Sequence, residues 1–384
     1  MGFPSKQWAI LSRILVLVAG IVSVSDALEM DTDFRGQVSA WFVVSQQNDD
    51  VDDNVGLRYI PELGLNFPLN EDLAIDAEVA ANGYWSSQED ENGDQADVDL
   101  YRLWLRVAAS QYEIRGGLQK IDFGSAVLLR PLMWFDRVDP RDPLGLTEGV
   151  YGLLGRYYFL NNANIWIWGL WGNDEPKGWE TLAAHEDRPE YGGRIQSPFL
   201  DGEIALGVHH REVDTDDLNL LDDDDGSFPE NRLGLDGKWD AGIGFWFESV
   251  VVHQQSDAIP IQNQKFLTIG LDYTFDIGNG LNAIGENLWV SASEELDTFD
   301  ETASFSAMSI NYPVGLLDSA SAIFYYDWDN KEVYRFGSWE RRYDNWQFHL
   351  MGFWNPDVLQ IYTSDRADTL FAGKGVQLLV VFNF

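Results

Sequence analysis

Period-two alternation runs through most of the chain. Leu57, Tyr59, Leu63, Leu65 and Phe67 alternate with Arg58, Glu62 and Asn66, while Leu73, Ile75, Ala77 and Val79 alternate with Asp76, Glu78 and Asn82. Tyr101, Leu103, Leu105 and Val107 take one face of a segment whose other face carries Arg102, Trp104 and Arg106. The final segment sets Val376, Leu378, Val380, Phe382 and Phe384 against Gln377 and Asn383. Successive side chains of a β-strand point to opposite faces, so each pattern predicts a strand with one face in an apolar medium and one in water. No 3.6-residue apolar stripe accompanies them. Two stretches break the alternation: both faces are apolar in Ile165-Trp166-Ile167-Trp168, and neither is from Leu281 to Ser291.

Connections of two kinds alternate between these segments. Short turns fall at Pro68-Leu69-Asn70, Ser110-Gln111, Asn161-Asn162, Ser197-Pro198, Trp239-Asp240, Gly278-Asn279-Gly280, Pro313-Val314-Gly315 and Asp344-Asn345. Longer polar or acidic connections fall near residues 46 to 54, 87 to 97, 122 to 149, 174 to 189, 214 to 228, 255 to 263, 294 to 301, 328 to 331 and 355 to 373. Eight turns and nine longer connections predict eighteen strands, or sixteen if two weak segments are loop. An even count returns both ends to one side of the sheet. Hydrocarbon offers no partner to backbone amides, so a sheet with one apolar and one wet face must close on itself there. The expected fold is all-β: a transmembrane antiparallel up-and-down barrel. At 16 to 18 strands such a barrel encloses an aqueous channel.

Composition supports the same picture. Sixteen Trp, 15 Tyr and 22 Phe make the chain 14% aromatic, yet its mean hydropathy is slightly negative. Rings gathered in interfacial girdles and alternating with polar lumen residues reconcile the two. At the N-terminus, Lys6 and Arg13 precede an apolar run from Ile14 to Val24 and the small-x-small site Ser25-Asp26-Ala27. Residues 1 to 27 are therefore expected to be a signal peptide, with 28 to 384 as the barrel.

A formal net charge of -38 argues against nucleic acid, whose phosphates need Lys and Arg. The absence of cysteine removes disulfides, thiol nucleophiles and thiolate metal sites. Acidic runs at Asp49 to Asp53, Glu89 to Asp99 and Asp214 to Asp225 read as solvated outer loops. A sharper reading has them meet lipopolysaccharide phosphates through Ca²⁺ or Mg²⁺. Asn92-Gly93-Asp94 does not match an EF-hand, and no dedicated metal site or cofactor is expected. No nucleophile elbow, zinc-protease, Walker or dinucleotide motif occurs, so no catalytic residue is assigned. His209 and His210 lie on opposite faces of one strand, near an acidic loop, and are what an outer-membrane hydrolase reading would rest on.

The connection from 122 to 149 differs from the rest. Its run Val127-Leu128-Leu129-Arg130-Pro131-Leu132-Met133-Trp134-Phe135 is too apolar to stand in water, so it is expected to fold against the interior wall. That would carry Arg130, Asp136, Arg137, Asp139, Arg141 and Asp142 to the narrowest point. Arg102, Arg106, Arg115, Gln119 and Arg156 come from the flanking strands, and Arg58 and Glu62 from an earlier one; all take polar faces. A basic wall opposite a mixed-charge loop would orient polar solutes and sort ions. The plainer reading is that these arginines pair with lumen carboxylates and stiffen the wall.

The terminal alternation ending in Phe382 and Phe384 resembles the C-terminal signature of Gram-negative outer-membrane barrels, which the barrel-assembly machinery reads. Together with the export signal, it makes the chain resemble the outer-membrane porins. That resemblance implies passive diffusion of small hydrophilic solutes, no enzymatic activity, location in the outer membrane, and a homotrimer as the common assembly. In trimeric general porins the third long loop folds inward and narrows the pore. Gly117 to Ser125, containing Gly117-Leu118-Gln119, is also similar to a passage of substrate-selective and alginate-export-type porins that leads into an inward loop. The rival expectation is a scaffold or sheath barrel around a partner complex, such as one for electron transfer.

Overall fold

The computed structural model describes residues 31–48, 50–88, 94–215, 226–256, 261–357 and 371–384. The strands are β1 (Asp31–Gln47), β2 (Asp50–Pro68), β3 (Leu73–Gln88), β4 (Gln95–Ala109), β5 (Tyr112–Gln119), β6 (Val150–Tyr158), β7 (Asn164–Leu170), β8 (Glu190–Phe199) and β9 (Gly202–Asp214). There follow β10 (Ser227–Asp240), β11 (Gly244–Gln254), β12 (Asn263–Phe275), β13 (Leu281–Ser293), β14 (Glu301–Pro313), β15 (Asp318–Asp327), β16 (Glu332–Arg342), β17 (Trp346–Trp354) and β18 (Lys374–Asn383). Each pairs antiparallel with its sequence neighbours, and β1 pairs with β18 from Gln37↔Asn383 to Gln46↔Lys374. The 18-stranded sheet is thereby closed, and no strand edge is left to seek a partner. The sixteen-strand count is set aside.

The alternation sorts as the sequence requires. Leu103, Leu105, Ile167, Leu206 and Leu271 point outward and are exposed, while Arg102, Trp168, Glu248 and Thr268 point inward and are buried. Aromatic rings gather at the short-turn end: Tyr157 with Phe159, Tyr273 with Phe275, and Trp346 with Phe382. Phe384 joins them, stacked on Tyr59 and Phe382. Its backbone exchanges hydrogen bonds with Gly36 at 3.0 and 3.1 Å.

Several local expectations change. The turn placed at Ser197-Pro198 lies instead at Leu200 and Asp201, both at positive φ (47° and 61°), as a tight two-residue hairpin demands. Pro198 is tolerated in β8 because the ladder to β7 ends at Gln196, leaving no neighbour on that side for the missing N–H. β10 likewise runs through Trp239 and Asp240 before turning. The connection placed at 46 to 54 is short: β1 and β2 continue to Gln47 and from Asp50, carrying Asp50, Asp52 and Asp53 on the strand. At 15 to 19 residues, β1 to β4 exceed the roughly 9–11 residues needed to span a bilayer. Their acidic ends therefore project as paired strand rather than loop. Tyr101 leaves the lipid face because a bulge opposite Ala80 and Ala81 inserts it as an extra residue. The signal segment 1–27 and the acidic stretches 89–93 and 216–225 lie outside the described residues.

Candidate channel constriction

The long connection between β5 and β6 is seated on side chains from strands far around the sheet. Glu286 of β13 accepts hydrogen bonds from three successive amides, Val127 (2.7 Å), Leu128 (2.9 Å) and Leu129 (2.6 Å), and from Trp246 Nε1 (2.9 Å). Glu248 of β11 accepts from Ser125 (2.5 Å), Ala126 (2.7 Å) and Leu132 (3.1 Å). Thr268 of β12, between them in the sheet, donates to the Leu129 carbonyl at 2.8 Å. Both carboxylates are buried. An ionised buried carboxylate is costly unless its lone pairs are filled, and here backbone N–H groups fill them. The segment has no ladder of its own, so each side meets the other's unsatisfied need. Hydrogen bonds to a charged group contribute about 1.5–3 kcal/mol apiece.

Apolar contacts complete the seat. Phe123 stacks on Trp168 of β7 at 5.8 Å and meets Trp134 and Phe135 edge-on. Phe135 packs edge-on against His209 at 5.0 Å. A Cβ added at Gly234 of β10 would lie 2.6 Å from Leu132 Cδ2, so glycine there admits the segment. The doubly apolar stretch Ile165–Trp168 is explained by this contact: Ile167 faces outward, while Trp168 faces not water but the segment.

The connection between β7 and β8 is also tied down. Gly178, at φ 49°, donates its N–H to the Asp136 carbonyl at 3.1 Å, and a Cβ there would sit 1.9 Å from the Met133 carbonyl oxygen. Trp179 Nε1 donates to the Arg130 carbonyl at 2.8 Å. Glu180 reaches Arg211 (3.0 Å) and Arg232 (2.5 Å), both of which also hold Glu230, in a buried network.

The candidate residues divide by partner. Asp76, Arg106, Glu113 and Arg156 form a ladder of charges across β3 to β6, with Arg106 to Asp76 at 2.8 Å, Arg106 to Glu113 at 3.5 Å and Arg156 to Glu113 at 2.8 Å. Glu62 pairs with Arg35. Arg102 donates to the Thr147 carbonyl at 2.9 Å, fastening the end of the segment to the wall. Gln119 is fully buried and donates to the carbonyls of Arg115 (3.2 Å) and Gly152 (3.0 Å). Within the segment, Arg130 pairs with Asp136 (3.2 Å) and Arg141 with Asp139 (2.7 Å), while Asp142 accepts from the amides of Leu144 and Leu146. Arg115 lies over Trp104, and Arg58 lies near Trp41 and Tyr84. Arg58, Arg115 and Arg137 make no ion pair among the described residues. Arg58 and Arg137 line a cavity of about 450 Å³ between the segment and the wall of β18 and β1 to β4.

Glu248, Glu286 and Thr268 were not singled out from the sequence, although a signal exists. Glu248 is the one acid on an inward face that also carries Trp246, Val250, Val252 and Gln254, and an acid among such apolar neighbours needs a partner from outside its own sheet neighbourhood. The two histidines on which a hydrolase reading would rest are engaged separately. Both ring nitrogens of His209 are engaged, Nδ1 by Trp168 and Nε2 by Glu190, each at 3.2 Å, while His210 on the opposite face binds Asn231. No group of acids and histidines suited to a metal occurs among the described residues.

No sequence-family model and no curated protein matches the chain. Solved structures do. Pseudomonas aeruginosa OccK2 (OpdF) aligns at 10% identity over 93% of this chain and 98% of that one, with a TM-score of 0.61. OmpT, an outer membrane protein of Vibrio cholerae in its trimer form, aligns at 11% over 92% and 99%, with a TM-score of 0.53. The anion-selective porin from Comamonas acidovorans aligns at 10% over 92% and 100%, with a TM-score of 0.50. Identity at this level speaks for architecture alone, and on that measure the chain has the fold of the outer-membrane porins.

Proposed function

We propose that the protein is an outer-membrane channel for passive diffusion of small hydrophilic solutes and ions, narrowed by the connection 122–149. The observation that carries this reading is the grip of Glu248 and Glu286 on the segment's amides, which draws an apolar loop from β5 and β6 toward β11 and β13. A barrel of this strand number without such a loop would be wide. With it, solutes pass between the segment and the polar wall of β1 to β6, past Arg58, Glu62, Arg102, Arg106, Arg115 and Arg156. Export with removal of residues 1–27, a homotrimer, and lipopolysaccharide met through divalent cations at the acidic rim belong to the same reading. Recognition of Phe382 and Phe384 by the assembly machinery does too.

Planar-bilayer recording of the detergent-purified protein tests the proposal. Stepwise openings are expected. A folded barrel that carries no current would instead favour the scaffold around a partner complex.

A further inference from the structure

Four buried polar atoms with no hydrogen-bond partner converge on one cavity: Ser39 Oγ, Arg58 Nε, Asn82 Oδ1 and Gln377 Oε1. Ser39 and Gln377 are 1% and 8% exposed, so bulk water does not serve them freely. Unsatisfied buried groups are costly, and their concentration in one place marks a site for something that satisfies them. The same cavity, about 450 Å³, has ring surface from Trp41, Tyr84 and Tyr101. Its size falls in the range of small-molecule sites, about 300–1,000 Å³, and its mix of apolar surface with a few convergent polar groups is their usual make-up.

The chemistry narrows the occupant. Two of the open atoms are amide oxygens that only accept, one is a guanidinium N–H that only donates, and one is a hydroxyl that does both. A ligand must therefore donate and accept at neighbouring points while laying an apolar face on rings. Charge decides against an anion: Arg58 and Arg137 share the lining with four acids, Asp139, Asp142, Glu148 and Glu175. Arg58 also lies 5.7 and 5.5 Å from the Trp41 and Tyr84 ring centroids, with those two rings stacked on each other, so it already occupies the position a cationic ligand would seek. A neutral sugar meets each requirement, with hydroxyls that donate and accept and a C–H face for the rings.

We infer that this cavity is a binding subsite for neutral carbohydrate on the solute path, an assignment that rests on the channel reading. Tyr101 enters the site because of the β-bulge, which turns a ring that strict alternation would give to lipid toward the lumen.

The test is ion current through the reconstituted protein during titration with maltose, using polyethylene glycol at matched osmolality and sodium gluconate as comparisons. Saturable block by maltose is expected, with a half-blocking concentration raised roughly three- to tenfold in Asn82→Ala, the loss of one hydrogen bond. Gln377→Ala gives the same readout should Asn82→Ala not fold. A current that falls with maltose only as it does with polyethylene glycol overturns the inference and leaves the channel standing. Stronger block by gluconate than by maltose also overturns it, in favour of an anion site. Absence of any current removes the channel reading, and the subsite with it.

Discussion

The inner faces of β2 to β6 and of β11 to β13 belong to one sheet and meet the demands of burial in opposite ways. On the first, charges answer charges between neighbouring strands, as in the run Asp76, Arg106, Glu113, Arg156. On the second, Trp246, Val250, Phe266 and Leu288 leave an apolar surface interrupted by Glu248 and Glu286, and what answers these acids is the backbone of a distant connection. The first wall can stay wet because the charges of that run are paired between neighbouring strands. The second is dry only while the segment covers it. On the proposed channel reading, one side serves solutes and the other holds the narrowing segment in place.

Breaking the dry side should have the largest effect. In the double variant Glu248→Ala with Glu286→Ala, six backbone amides lose their carboxylate acceptors. Each loss of a charge-assisted bond costs about 1.5–3 kcal/mol. Single-channel conductance should rise severalfold and become noisy, with each single variant in between. Unchanged conductance would mean that the segment does not set the narrowest point.

A steric version is milder. Gly234→Leu would press against Leu132 and Trp134, an overpacking worth about 1–3 kcal/mol, and should lift the segment without removing its anchors. A modest conductance increase is expected, with the barrel's heat-modifiable mobility on gels retained; loss of the folded band would show that the glycine serves the wall itself.

The wet side should report through selectivity rather than conductance. Glu113→Gln leaves Arg106 and Arg156 without that carboxylate, and the reversal potential in a salt gradient should move toward anion preference. Replacing Arg102, Arg106 and Arg115 by Ala should move it the other way. If neither change registers, these side chains stand off the ion path.

The smallest effect is a pH dependence from the connection 171–189. The Glu175 carboxyl is held above the ordinary carboxylate range, first by its hydrogen bond with Glu148 and then by burial, against the pull of Lys177 and Arg137. It therefore takes up a proton before an ordinary carboxylate does as pH falls, removing one negative charge from the cavity. Cation preference should decline slightly from just above the usual carboxylate range downward. Glu175→Gln should abolish that part of the titration, and an identical pH profile in the variant would count against it.

What could be read in the chain was everything governed by local periodicity. Alternation and turn residues determined the strands, a count of eighteen or sixteen, and the outward face, because a residue's side of a sheet depends only on its place in the strand. The apolar character of 122–149 likewise announced that it must be covered, since no polar periodicity relieved it. Tertiary structure alone decided what covers it and which acids hold it. Glu248 and Glu286 stand more than 110 residues from the amides they bind, and only closure of the sheet brings them within reach. It also decided that Tyr101 turns inward, through a one-residue bulge, and that Arg106 and Arg156 are paired while Arg58 is not. Pairing across strands depends on register, and register becomes definite only when the whole ring of hydrogen bonds closes.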